Sequence, residues 1–72
     1  MPKLPVLSGK EVCAILARHG FSEVLRRGSH IVMQKKEGDS TKTVPVPDHR
    51  EILTGTLLSI IRQSGLSRAD FE

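Results

Sequence analysis

His30 is the residue of this chain best placed for proton-transfer chemistry. It follows Gly28 and Ser29 and directly precedes the apolar segment 31–33. An imidazole can both accept and donate a proton near neutral pH. Arg26 and Arg27 come shortly before it, and guanidinium groups bind phosphate well. The combination predicts proton transfer at a phosphodiester. The alternative is a strand histidine that faces solvent or forms a single hydrogen bond.

Further polar and basic residues around His30 are candidate contacts to a nucleic acid. The candidate RNA contacts are Arg26, Arg27, Ser29, Lys35, Lys36 and His49. Acidic residues in the same region reduce the excess of positive charge, so a mixed, solvated sheet surface is the competing interpretation. The chain has no Trp or Tyr, and we expect Phe21 and Phe71 to be in the core. Without aromatic platforms for bases, any RNA contact should be made through phosphates and shape.

The other two histidines and the single cysteine are weaker candidates for catalysis or metal binding. His49 follows Pro47 and Asp48, where it is either a second proton-transfer group, a phosphate contact or a turn residue without a chemical role. His19 ends a predicted helix, where a cation meets the negative end of the dipole, so we expect a structural role. The histidines lack ligand spacing and a carboxylate cluster, so no metal site or cofactor is predicted. The lone Cys13 falls at a helical apolar position and is expected in the core.

Composition indicates one small soluble domain. With 72 residues, 38% hydrophobic and 26% charged, the chain is expected to form a single domain over residues 1–72. A domain of this size buries only about 60% of the surface of its unfolded chain, so the core is small. No apolar run approaches the roughly 20 residues that cross a membrane, and we expect a cytoplasmic protein. The net charge of +3 favours an anionic partner but is weak support, because many basic proteins bind no nucleic acid.

The first half of the chain carries signals for a helix followed by strands. Ser8 and Glu11 have the spacing of a capping box, and Gly20 is suited to end the helix that begins there. Three strand-like segments follow at residues 22–27, 29–35 and 42–46, with a polar turn at 37–40 between the second and third.

The second half predicts one main helix and a short turn. Thr54 is predicted as the N-cap of the helix, and Asp48 with Glu51 is an alternative start. Gly65 is expected to end this helix. Ser67 with Asp70 then suggests a last short turn that carries Phe71.

The order of these elements predicts an α+β fold of the form α-β-β-β-α. A short chain with this order forms a three-stranded antiparallel sheet with both helices on one face and the other face open. Strand alternation assigns Ile31 and Met33 to the core and His30, Val32 and Gln34 to the open face. A shift of one residue would exchange the two faces.

The order and spacing of several short segments resemble the HicA family of bacterial toxins. The segments are 20–21, 27–30, 44–47 with His49, 55–57, 60–63 and 65–67. The resemblance extends over nearly the whole chain. It departs from the family at Val32 and Met33, where family members often carry an aromatic residue a few positions after the histidine.

The resemblance implies a fold similar to that of double-stranded-RNA-binding domains and ribonucleolytic cleavage of messenger RNA. It implies that His30, the histidine of the Gly-Ser-His motif, is the catalytic residue, and that a HicB-type antitoxin is the inhibitory partner. The resulting hypothesis is a metal-independent endoribonuclease in which His30 transfers a proton during attack of a ribose 2′-hydroxyl. The alternatives are a non-catalytic RNA-binding module and a protein-interaction domain that uses the open sheet face.

Overall fold

The computed structural model describes residues 4–72, so residues 1–3 of the predicted domain lie outside the described part. The elements are α1 (Gly9–Arg18), β1 (Ser22–Arg27), β2 (His30–Glu37), β3 (Ser40–Pro47), α2 (Thr54–Ser64) and a 3₁₀ helix (Arg68–Phe71). The predicted α-β-β-β-α order is confirmed. Among the described residues, no helix is both long enough and apolar enough to cross a membrane.

Helix α1 begins and ends as its sequence predicts. The Glu11 N–H donates to Ser8 Oγ (3.1 Å), and the Ser8 N–H donates to Glu11 Oε1 (2.9 Å). These reciprocal bonds satisfy two backbone donors that the first turn would otherwise leave unpaired. At the other end, Gly20 adopts a φ of 94° and the Phe21 N–H donates to the Leu16 carbonyl (3.1 Å). Phe21 therefore folds back over the helix and into the core.

The sheet is antiparallel in the order β1-β2-β3, and its buried face is the predicted one. Ile31 and Met33 are 2% and 3% exposed, whereas His30 is exposed and Val32 and Gln34 are half-buried. Residues that face each other across antiparallel strands share a side of the sheet. We call the side of Ile31 and Met33 the helix face and the side of His30 the open face.

The core lies between the helix face and the two helices. Its fully buried side chains come from every layer, namely Val12, Leu16, Ile31, Val44, Val46, Leu57, Ile60 and Phe71. Cys13 is only half-buried and packs against this core from the side. The small core is consistent with the short chain, and within residues 4–72 no helix covers the open face.

Strands β2 and β3 are longer than predicted near the turn that joins them. Gly38 takes a φ of 59°, and Glu37 pairs directly with Ser40. A two-residue turn of this kind lets the ladder continue to its very end. The polar composition of residues 37–40 predicts a turn over all four, but Glu37 and Ser40 belong to the strands, because pairing with a neighbouring strand outweighs that local preference.

Helix α2 begins at Thr54, but the prediction that Thr54 is the N-cap is wrong by one residue. Leu53 holds the N-cap position with extended backbone angles, and no side chain caps the helix. The Leu57 N–H donates to the Leu53 carbonyl (2.9 Å), so Thr54 is already helical. Gly65 ends the helix with a φ of 73°.

The short turn predicted after α2, which carries Phe71, is confirmed as the 3₁₀ helix. Asp70 Oδ2 accepts bonds from the Ser67 N–H (2.9 Å) and from the Ser67 hydroxyl (3.1 Å). These bonds hold the pKa of Asp70 below its ordinary value. The 3₁₀ helix that follows buries Phe71 to 1% exposure.

Candidate active site

The hairpin between β1 and β2 sets the position of His30. Gly28 and Ser29 form a two-residue turn, and Gly28 has the positive φ (54°) that such turns need. Arg27 consequently pairs with His30 directly across the ladder. Both side chains lie on the open face, because opposed residues of an antiparallel pair share a side. The turn thus places Arg27 and His30 opposite each other on the open face.

A bulge farther along β1 keeps a carboxylate away from the open face. Glu23 is opposite Met33 and Leu25 is opposite Val32, so Val24 is an extra residue without a partner. A one-residue bulge reverses the alternation of the residues beyond it. Glu23 is therefore on the helix face. There, burial raises the pKa of the half-buried Cys13 thiol, and the charge of Glu23 raises this pKa further. A thiol held protonated in this way is a poor nucleophile.

Arg26 lies on the helix face, on the opposite side of the sheet from His30. It pairs with Ile31 in the ladder, and its Nη1 donates to Asp48 Oδ2 at 2.8 Å. This bond holds the pKa of Asp48 below its ordinary value. The Asp48 N–H donates to the Ser29 carbonyl (2.6 Å). Arg26 and Ser29 therefore anchor the chain that follows β3.

The two lysines of the predicted site lie far from His30 or on the other face. Lys35 is on the helix face, with its Nζ 5.8 Å from the centroid of the Phe21 ring and 3.7 Å from Glu37 Oε1. Lys36 is on the open face, but it is six positions along the strand from His30, a distance of about 20 Å. Of the predicted contacts, Ser29 directly precedes His30 in the turn, Arg27 is opposite His30 in the ladder, and His49 lines a groove together with His30.

His30 and His49 line the same open groove. The groove has a volume of about 400 Å³. It runs between helix α2 and the edge of β3, where Pro45 and Pro47 line it. Thr56, Ser59 and Gln63 line it from the helix. Two histidines and three polar residues of α2 thus line one groove.

The three α2 residues were not among the predicted site residues. Thr56, Ser59 and Gln63 are spaced three and four positions apart, which places them on one side of a helix. This polar stripe was the signal that the sequence offered. Only the packing of α2 against β3 shows that the stripe faces the same groove as His30.

The start of α1 holds His49 in place. The Gly9 N–H donates to the His49 carbonyl at 2.8 Å. A Cβ built on Gly9 would collide with the Pro47 carbonyl oxygen and lie 2.9 Å from Asp48 Cα. Only glycine permits this approach without displacing the loop. The backbone of residues 47–49 is therefore fixed from two sides, by Gly9 and by the Arg26–Asp48 ion pair.

The remaining histidine is away from this groove. His19 Nε2 lies 3.8 Å from Asp70 Oδ1 and links α1 to the 3₁₀ helix, as expected for a structural residue. Within residues 4–72, no three side chains of His, Cys, Asp or Glu are grouped so that they could hold a metal ion.

Together, the fold and the groove define a small α+β domain that presents a histidine pair beside the open face of an antiparallel sheet. The family described as the HicA toxin of bacterial toxin-antitoxin systems matches residues 9–66, which include His30, His49 and all of α2. Because this match covers most of the 72-residue chain, the protein belongs to the HicA toxin family. A comparison with curated protein sequences finds no match.

Proposed function

We propose that the protein is an endoribonuclease that cleaves messenger RNA without a metal ion, with His30 and His49 as its two proton-transfer groups. The observation that carries this proposal is that both imidazoles line one groove. Cleavage of RNA by its own 2′-hydroxyl needs one group that removes a proton and another that supplies one. A pair of histidines can perform both steps near neutral pH.

In the proposed reaction, His30 accepts the proton of a ribose 2′-hydroxyl. The 2′-oxygen then attacks the adjacent phosphorus, and the bond between phosphorus and the 5′-oxygen of the next nucleotide breaks. His49 donates a proton to that leaving oxygen. The products are a 2′,3′-cyclic phosphate and a free 5′-hydroxyl, so protons and bonds balance without a co-reactant.

Arg27 supports the same reaction through its charge. It is opposite His30 on the open face, so its side chain can reach a phosphate that is bound next to the His30 imidazole. Negative charge accumulates on the phosphate oxygens in the transition state, and a guanidinium positioned there stabilises it. The hydroxyl and amide groups of Thr56, Ser59 and Gln63 can donate hydrogen bonds to sugar and phosphate along the other wall.

Membership of a toxin family also implies a partner that restrains the activity. We infer that a HicB-type antitoxin inhibits the protein by covering the groove and Arg27, since an acidic segment would occupy both at once. Titration of the antitoxin into a cleavage reaction should abolish activity, with weaker inhibition at high salt. A complex in which His30 and Arg27 stay open to solvent would contradict direct occlusion.

The function is tested with purified protein, labelled RNA and EDTA. We expect cleavage to persist in EDTA and to leave a cyclic phosphate on one product and a 5′-hydroxyl on the other. After a cleavage position is mapped, a 2′-deoxy substitution at that nucleotide alone should abolish cleavage there. RNA that is bound but never cut would favour a non-catalytic RNA-binding module. Absence of both binding and cleavage would favour a protein-interaction domain.

A further inference from the structure

We propose a second phosphate subsite at the start of α1, where Lys10 and Arg50 hold a phosphate next to the one that is cleaved. This inference rests on the proposed function, because it extends the path of the RNA beyond the groove of His30. Neither cation was singled out by the sequence, since forty residues separate them along the chain.

The subsite is a depression that adjoins the groove through His49. Its volume is about 320 Å³, and it is lined by Ser8, Lys10, Asp48, His49 and Arg50. His49 also lines the groove that contains His30. The two spaces therefore meet at one side chain, and a strand that passes His49 in the groove continues towards Lys10 and Arg50.

The charges of this depression favour an anion. Lys10 and Arg50 are exposed, and within residues 4–72 neither has a carboxylate as an ion-pair partner within 4 Å. Asp48, the carboxylate among the lining residues, binds Arg26 at 2.8 Å, and this bond and, more weakly, the charge of Lys10 hold the pKa of Asp48 below its ordinary value. Lys10, Arg50 and Arg26 together outweigh this single carboxylate, so the depression keeps a positive charge that attracts a phosphate.

Ser8 adds a hydrogen-bond donor. Its Oγ accepts the Glu11 N–H in the capping box, so the hydroxyl proton remains available to a ligand. Two cations and a hydroxyl recognise the backbone of RNA and not its bases. The subsite should therefore add affinity for longer RNA without adding sequence preference.

The test compares substrates of different length with the double variant K10Q/R50Q. The substrates are a dinucleotide with one phosphodiester and oligonucleotides that extend it on the 5′ side only or the 3′ side only. For one of the two extended series, we expect KM to rise about threefold to tenfold with kcat unchanged, the modest effect typical of exposed charges. The dinucleotide should show no change. For the affected series, the slope of log affinity against log salt should become shallower by roughly 0.7 per lost phosphate contact.

The matched control is R18Q/K42Q, which removes the same charge from the end of α1 and from the end of β3 far from His30; neither residue lines either space. This control should leave every KM unchanged. The inference is overturned if K10Q/R50Q affects the dinucleotide as strongly as the longer substrates, or affects none of them more than the control does.

A binding measurement separates this inference from the proposed function. The same oligonucleotides with a 2′-deoxy group at the cleavage position report affinity without cleavage. Weaker binding of an extended oligonucleotide by K10Q/R50Q supports the subsite even if the parent cuts no RNA, in which case the nuclease proposal alone fails. Equal binding by parent and double variant overturns the subsite even if cleavage is normal.

Discussion

Arg27 and His30 face each other across the β1–β2 ladder on the open side of the sheet. The preceding residue, Arg26, points to the helix face and bonds Asp48 at 2.8 Å. Two consecutive arginines therefore have different roles, one beside the proposed scissile phosphate and the other in the framework that holds His49. Substitution of each should produce a different defect.

Loss of Arg27 should impair cleavage and leave stability unchanged. For Arg27→Gln we expect kcat/KM to fall by roughly 10- to 100-fold, because a charge that stabilises the transition state is removed from an exposed site. The matched variant Arg26→Gln should lower the melting temperature, since it removes the partner of Asp48. Cleavage assays and thermal unfolding of both variants measure the contrast. Equal melting temperatures and equal loss of activity would contradict the division of roles.

The Arg26–Asp48 pair should stabilise the fold in a pH-dependent way. Because the pKa of Asp48 in the folded protein is lowered, its contribution is present above the unfolded value of about 3.9 and is lost as the pH falls through the folded value. Asp48→Asn should therefore melt below the parent at pH 7, and the difference should vanish in strong acid. Thermal unfolding across this range tests the prediction, with Asp39→Asn in the exposed β2–β3 turn as control. A gap that persists unchanged in acid would remove the ion pair from the explanation.

Gly9 should be required for the position of the 47–49 segment. In Gly9→Ala the new methyl group meets the Pro47 carbonyl, and overpacking of this kind costs about 1–3 kcal/mol. We expect lower stability together with reduced cleavage, because His49 moves with the loop. The matched variant Gly55→Ala adds the same methyl group where, within residues 4–72, no atom beyond its chain neighbours and its own helix backbone lies within 4 Å, and it should be neutral or stabilising. If both variants behave alike, the close contact at Gly9 has no role.

Substitution of His49 should change the pH dependence of cleavage as well as its rate. A reaction with one general base and one general acid has a bell-shaped pH–rate profile. His49→Ala should lower kcat and lose one limb of the bell, with the melting temperature unchanged because the side chain is exposed. A profile identical in shape to that of the parent would assign the second proton transfer to another group, such as a lysine or water.

Local signals in the sequence were sufficient to predict most of the fold. The Ser8–Glu11 capping box and the helix-ending glycines depend on residues within one or two turns, so spacing alone identifies them. The alternation around Ile31 and Met33 correctly placed His30 on the open face. The N-cap position of Leu53 was not predicted, because Leu53 offers no capping side chain and the sequence therefore carries no signal for it.

The composition of the site was less predictable, because it depends on contacts between distant segments. Alternation from Ile31 and Met33 places Lys35 on the helix face, yet its nearness to His30 in sequence made it a candidate contact. Consecutive strand residues point to opposite faces, but the pairing that the Gly28–Ser29 turn selects decides that Arg27, and not Arg26, shares the side of His30. The proximity of His49 to His30, and of Lys10 to Arg50, exists only after α1 and α2 dock on the sheet.

The most direct test of the account is the cleavage rate of His30→Ala. General acid or base assistance contributes about 10² to 10⁴ in rate, and we expect a loss of that order with the fold intact, because His30 is an exposed strand residue. His19→Ala, which removes an imidazole outside the groove, should cleave RNA like the parent. A folded His30→Ala protein that cleaves RNA within a few-fold of the parent rate would contradict the catalytic role of His30.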